Sequence, residues 1–254
     1  MNIAVDQAWA TASVLLWLRL GVVFFLTPLL SGFSGPPALL AVLSLVLGGL
    51  LTAAMPPGAG HVPATVGALI WAGLLEIGVG MVLAFGVHAA FAAFGIAGQM
   101  LDLQIGFGTG NVFDPVTRAN SPILAAFFNS LGAVLFFTVD AHHAFVRGIA
   151  FSVAQFPPGA VSLHLSLDAV ARQFGAAFSL ALAMAAPVLF LLVLVEAGLA
   201  VVSRMLPQMN VYFVGLPLKI LVGLGALAMS AATLIPVSAR VFAAIFQFWD
   251  GALR

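Results

Sequence analysis

Five ionisable side chains lie inside long apolar runs of the sequence: Arg19, Glu76, His88, Glu196 and Lys219. A charge in such a run is costly, so each is a functional candidate, with a structural ion pair or a contact to a neighbouring subunit as the ordinary alternative. Glu196 and Arg204 are eight apart, two turns along one helix face, where a water or an intermediate side chain could link them. The stretch DAHHAFVR puts Asp140, His143 and Arg147 on one helical face, with His142 pointing elsewhere. A metal site would want more converging ligands, so an interfacial turn that tolerates polar groups is the expectation there, and no metal is assigned. GFSG, residues 32 to 35, has the form G-x-S-G of an intramembrane serine protease, with His88 imaginable as the base. Ser34, however, sits in a connection and is followed by Pro36 and Pro37, whereas such a nucleophile belongs at the start of a buried helix.

The other polar feature is GFGTGNVFDPVTRANSP, residues 106 to 122, set between two apolar runs. Gly106, Gly108 and Gly110 permit positive φ and close backbone approach. GFGTG has glycines suited to a phosphate loop, but no strand precedes it and no Lys follows in the required position. Asp114 before Pro115 starts a turn, and Asn120 and Ser121 before Pro122 can cap the next helix. The insert exceeds an ordinary connection. Non-helical backbone at membrane depth is tolerated only where protein buries it or where it lines an aqueous cavity. A polar loop reaching into a channel is one reading; an exposed loop outside the membrane is the other.

The elements that must hold these residues follow from the apolar runs. They cover residues 8–30, 38–55, 65–101, 123–156, 169–202 and 211–249, separated by proline- and glycine-rich turns. The runs are too long for strands and lack the alternation of a membrane barrel. The fold class is therefore all-α, with about six hydrophobic segments. A single helix over 65–101 would be roughly 55 Å long against a hydrocarbon core of about 30 Å, so something must tilt, break or leave the membrane. Gly78, Gly80, Gly86, Gly95 and Gly98 could kink that run and Pro187 the fifth, while Pro217 and Pro236 lie inside the last. Gly80 with Ala84, Gly86 with Ala90, and Ala181 with Ala185 place small side chains four apart, which lets helices approach closely.

Composition narrows the function classes. Of 254 residues 63% are hydrophobic and only 6% charged, and the mean hydropathy is +1.20, which marks an integral membrane protein or part of a membrane assembly. Net charge is zero, so no basic surface is available for nucleic acid, and none is expected as a partner. The absence of cysteine removes thiolate metal sites and thiol nucleophiles. No Lys or Arg precedes Arg19, so the first residues are expected to open the first helix rather than to form a secretory leader. The remaining Arg residues are too evenly scattered to assign an orientation. A secondary transporter or small-solute channel using Glu76 and Glu196 stays open on these grounds, although it predicts two related halves and no internal repeat is evident.

Three phrases narrow the reading further. AGQMLDLQIGFGTGNVFDPVTRANSPILAAFFN (97–129), DAHHAFVRGIAFSVAQFPPG (140–159) and PQMNVYFVGLPLKILVGL (207–224), with SGFSGPPALLAV in the first turn, resemble the FliR/SctT family of type III secretion export-gate subunits. The spacing of FDP, SP, PQ-x-NV and G-x-PLK carries that resemblance over nearly the whole chain, and DP-x-T-x-A-x-SP is closer to the flagellar branch. The resemblance implies a single all-helical domain over 1–254, with a polar loop at 102–122. It implies helical hairpins built into a hetero-oligomeric pore complex with FliP-type and FliQ-type subunits, and an FlhB-type subunit at its base. Unfolded export substrates and membrane lipid are the other implied partners, and the bacterial inner membrane at the flagellar basal body is the implied location. No catalytic residue, cofactor or metal is implied, and the chain is expected not to be an enzyme. The loop maps to Gly106, Phe107, Gly108, Gly110, Asn111, Phe113, Asp114, Pro115, Arg118 and Ser121, which would plug the pore. Glu76, Glu196, Arg204 and Lys219 would serve subunit packing or form intramembrane polar contacts.

Overall fold

A computed structural model describes residues 7–28, 37–55, 63–107, 122–159, 166–208 and 210–252. Among the described residues the regular structure is helical and no strand occurs. In chain order the helices are α1 (Gln7–Leu26), α2 (Pro37–Ala54), α3 (Val66–Ile105), α4 (Ile123–Thr138), α5 (Ala141–Gln155), α6 (Leu167–Met205) and α7 (Val211–Ala252). The all-α membrane fold expected from composition is present.

Five of the six apolar segments correspond to one helix each. The fourth divides into α4 and α5 at Val139–Asp140, where Asp140 takes φ 57° and ψ 23°, the left-handed region that few non-glycine residues enter. Four helices, α1, α3, α6 and α7, are long and apolar enough to cross a membrane, and α4 with α5 would make a broken fifth. α2 has 18 residues, about 27 Å of helix, which leaves it short of a full span. α3 was expected to tilt, break or leave the membrane; it runs as one helix of 40 residues, unbroken at its glycines and continuing four residues past the apolar run, to Ile105. Residues 102 to 105 are thus helical. α6 and α7 likewise continue through Pro187, Pro217 and Pro236.

The chain forms two compact units, each with its own core. The first comprises Met1–Ala89, Asp140–Gln173 and Ala243–Arg254. In it α1 packs along α2, where any side chain at Gly48 would start 3.3 Å from the Trp17 backbone nitrogen. Leu15, Leu16, Leu20, Leu83 and Trp249 are all but fully buried, and the Trp249 indole N–H donates to the Leu83 carbonyl at 3.1 Å, which satisfies its polar end. Gly80 is required where α3 crosses α1, since a Cβ there would lie 2.7 Å from the Arg19 carbonyl oxygen. The small side chain anticipated at Gly80 therefore serves close helix approach.

The second unit comprises Ala90–Val139 and Phe174–Phe242. Its centre is a group of rings: Phe136 meets Phe242 edge-on at 5.3 Å, Phe94 stacks on Phe242 at 5.7 Å, and Phe91 reaches all three. Such offset and edge-on pairs add to the burial of the rings themselves. Ala181 and Ala185, one of the anticipated small pairs, are fully buried on α6.

Candidate functional site

In the second unit the base of the polar loop is built by two helix ends. α3 finishes at Ile105 and Gly106 follows with φ 102°, a conformation that suits glycine alone, against Leu216 of α7. The chain is described again from Pro122, which caps α4 without any side-chain bond of its own. The first amides of α4 would be unsatisfied at that point. Asp102, one turn before the end of α3 and only 3% exposed, accepts two of them: Leu124 N–H to Oδ1 at 3.1 Å and Ala125 N–H to Oδ2 at 3.0 Å. A carboxylate placed on first-turn amides is also favoured by the positive end of the helix dipole. Gly98, one turn further back, lets the helices close, because a Cβ there would lie 2.5 Å from the Ala125 Cα. The two ends of the loop are held together by a short, charged clamp.

Of the residues expected to form the plug, Gly106 and Phe107 are described at this base. Gly108, Gly110, Asn111, Phe113, Asp114, Pro115, Arg118 and Ser121 lie outside the described residues, as do Asn120 and Ser34. Asp102 was not singled out from sequence. Its signal was present: an acid at the end of an apolar helix, just ahead of a long polar insert.

Beside this base is a cavity of about 300 Å³, lined by Leu103, Gln104, Gly106, Tyr212 and Leu216 and bordered by Glu196 and Lys219. Glu196 of α6 and Lys219 of α7 form an ion pair, with side chains 44% and 24% exposed. The direct partner of Glu196 is thus on the next helix, whereas sequence spacing suggested a water- or side-chain-mediated link to Arg204 along its own. Among the described residues Arg204 has no ion pair.

The first unit holds a second polar constellation. Arg19 of α1 and Glu76 of α3 are 1% and 3% exposed and meet at 2.6 Å through Nε and Oε2. The remaining guanidinium donors go to the Ser152 carbonyl at 3.1 Å, the Ser152 hydroxyl at 3.3 Å and the Phe156 carbonyl at 2.8 Å. Glu76 Oε1 accepts the Gly159 N–H at 3.2 Å. Each guanidinium nitrogen and each carboxylate oxygen of the pair thus has a protein partner, which is the condition for holding charges in a dry interior. The network ties α1, α3, the end of α5 and the turn after it, where Gly159 has φ 83°. His88, the imagined protease base, places Nδ1 3.2 Å from the Leu26 carbonyl oxygen.

At the start of α5 the structure differs from the helical-face reading of DAHHAFVR. Asp140, His142 and His143 come together, and His142 does not point away: its ring lies 4.1 Å from that of His143. Asp140 and His143 do meet, at 3.5 Å, as their spacing suggested; it is His142 that departs from the expectation.

Comparison with known proteins gives a consistent set of similarities. Residues 10–245 match the family model described as bacterial export proteins, family 1. The chain is 35% identical over 168 residues to the flagellar biosynthetic protein FliR of Bacillus subtilis (strain 168), covering 65% of each chain. It is 26% identical over 250 residues to the FliR of Escherichia coli (strain K12), covering 97% of this chain and 95% of the other. It is also 28% identical over 242 residues to the surface presentation of antigens protein SpaR of Shigella sonnei, covering 92% and 90%.

Proposed function

This chain belongs to the bacterial export proteins, family 1, and from that premise we infer that it is a subunit of a type III protein export apparatus in the bacterial inner membrane, on the flagellar side of the family. The observation that carries the reading is the match over residues 10–245, together with relatives named for flagellar biosynthesis over as much as 97% of the chain. The chain works with FliP-type and FliQ-type subunits around a pore and with an FlhB-type subunit at its base. Unfolded flagellar proteins pass through that pore. The polar insert from Gly106 to Ser121 acts as its plug, with glycine hinges and with Asn111, Asp114 and Arg118 supplying the polar contacts that hold it closed. The Asp102 clamp supports this role, because a plug must be anchored at a rigid base if its tip is to be displaced and return. Glu76 secures the subunit's own helices, while the partly exposed Glu196 and Lys219 beside the loop base are suited to contacts with neighbouring subunits.

Two measurements test this. Native mass spectrometry of the tagged chain, extracted in mild detergent from cells expressing its neighbouring genes, should show one large assembly with several copies of two smaller membrane proteins; a monomer or homodimer refutes the assembly. Deleting Gly110 to Thr117 should leave that assembly intact and raise ion conductance across the membrane. An ion-tight deletion strain refutes the plug.

A further inference from the structure

Among the described residues, one cluster brings three metal-ligating side chains together: Asp140, His142 and His143 each offer a ligand atom, and these atoms lie within 4.8 Å of one another. His143 Nδ1 is 3.5 Å from Asp140 Oδ1. Two ligands bound to one tetrahedral ion at about 2.0–2.1 Å are about 3.4 Å apart, so that edge is already formed. The two imidazoles sit with centroids 4.1 Å apart and planes 36° from parallel, although adjacent helical residues normally diverge by about 100°. A carboxylate at a helix start ordinarily accepts a first-turn amide. Asp140 does not: it makes no side-chain cap bond and faces His143 instead, from a left-handed backbone that is the one positive φ of a non-glycine residue among those described.

We propose that Asp140, His142 and His143 bind one divalent transition-metal ion of the zinc, nickel and copper class, with water completing its coordination. Two imidazole nitrogens and one carboxylate oxygen suit that class, whereas magnesium and calcium take oxygen ligands. The Asp140 and His143 side chains are 75% and 64% exposed, so the ion exchanges with solution and keeps open positions, unlike a closed structural site. The positive end of α5 opposes a cation, and the Asp140 charge offsets it. Binding would hold Asp140 in its left-handed conformation. None of this depends on the export role.

The test uses the full chain, untagged, in detergent micelles and stripped with a chelator. Zn(II) is titrated calorimetrically and Co(II) is followed by its visible d–d bands. One equivalent should bind. Asp140→Asn and His143→Ala should each weaken binding at least about tenfold, since even residues that only support a ligand cost about 10–100-fold. His88→Ala, which alters a histidine outside the cluster, should leave it unchanged. Absence of saturable binding, affinity undiminished in the cluster variants, equal loss in His88→Ala, or preference for Mg(II) or Ca(II) overturns the proposal. If His143→Ala loses helicity, Asp140→Asn carries the test, because its side chain caps no helix amide.

Discussion

Replacing Glu76 by alanine removes two acceptors at once, the one 2.6 Å from Arg19 Nε and the one 3.2 Å from the Gly159 amide. Arg19, at 1% exposure, then keeps its full charge with only the Ser152 and Phe156 groups to hold it. Breaking a buried pair from one side costs about 3–5 kcal/mol, out of a total folding stability of about 5–15 kcal/mol. At about 2–4 °C per kcal/mol for a chain of this size, the midpoint should fall by about 6–20 °C. Glu76→Gln keeps the volume and one acceptor oxygen but turns its NH2 toward the other N–H donor, so one bond is kept in neutral form and one is lost, at a cost of about 1–3 kcal/mol. The double variant Arg19→Met with Glu76→Leu strands no charge and should cost well below the sum of the two single costs, because residues in direct contact do not add. The assay is thermal unfolding of the full chain in detergent micelles, followed by circular dichroism. A Glu76→Ala midpoint within 2 °C of the parent (about 1 kcal/mol or less), or a double variant as unstable as the summed singles, refutes the claim that the pair is a closed, mutually dependent network.

Two further predictions concern the loop base. Asp102→Ala should cost about 0.5–2 kcal/mol, the range for a lost helix cap, and should speed hydrogen exchange at the Leu124 and Ala125 amides; unchanged exchange there refutes the clamp. Gly98→Ala should destabilise by about 1–3 kcal/mol, because its Cβ would meet the Ala125 backbone, which cannot move aside as a side chain could. Gly175→Ala, in open space on α6, should instead be neutral or stabilising by up to about 1 kcal/mol, and similar melting of the two variants contradicts the packing argument.

Where apolar runs decide the outcome, the sequence was a good guide: each predicted segment is helical, and turn chemistry marked the ends to within a few residues. A turn was expected at DAHH and the helix breaks there, at Asp140; what the sequence did not mark is the left-handed backbone, φ 57° and ψ 23°, at a residue other than glycine. His143 does face Asp140, as their spacing suggested, whereas the approach of His142 to His143 was not legible because adjacent helical positions ordinarily diverge by about 100°. Arg19 and Glu76 could each be picked out as charges in apolar surroundings. Their pairing could not, since they are 57 positions apart and spacing along one helix says nothing about which helices meet. Glu196 was offered a partner on its own helix for the same reason and found Lys219 on the next. Asp102 was overlooked because its role lies in satisfying the amides of another helix, an obligation that appears only once the two ends are side by side.

The length of α3 has a consequence for the cell's supply of this protein. Its 40 residues make about 60 Å of helix, and fitting that into a hydrocarbon layer of about 30 Å by tilting alone would require about 60°, beyond the usual range of about 0–40°. α6 and α7, at 39 and 42 residues, face the same arithmetic, and large side chains such as Phe174, Phe178, Phe190 and Phe213 stay exposed along them. Lipid cannot solvate all of that surface, and water will not. A newly made copy is therefore a poor match to every solvent available to it until other protein surface covers the excess. Its steady-state abundance should be governed by how quickly that cover arrives relative to proteolysis.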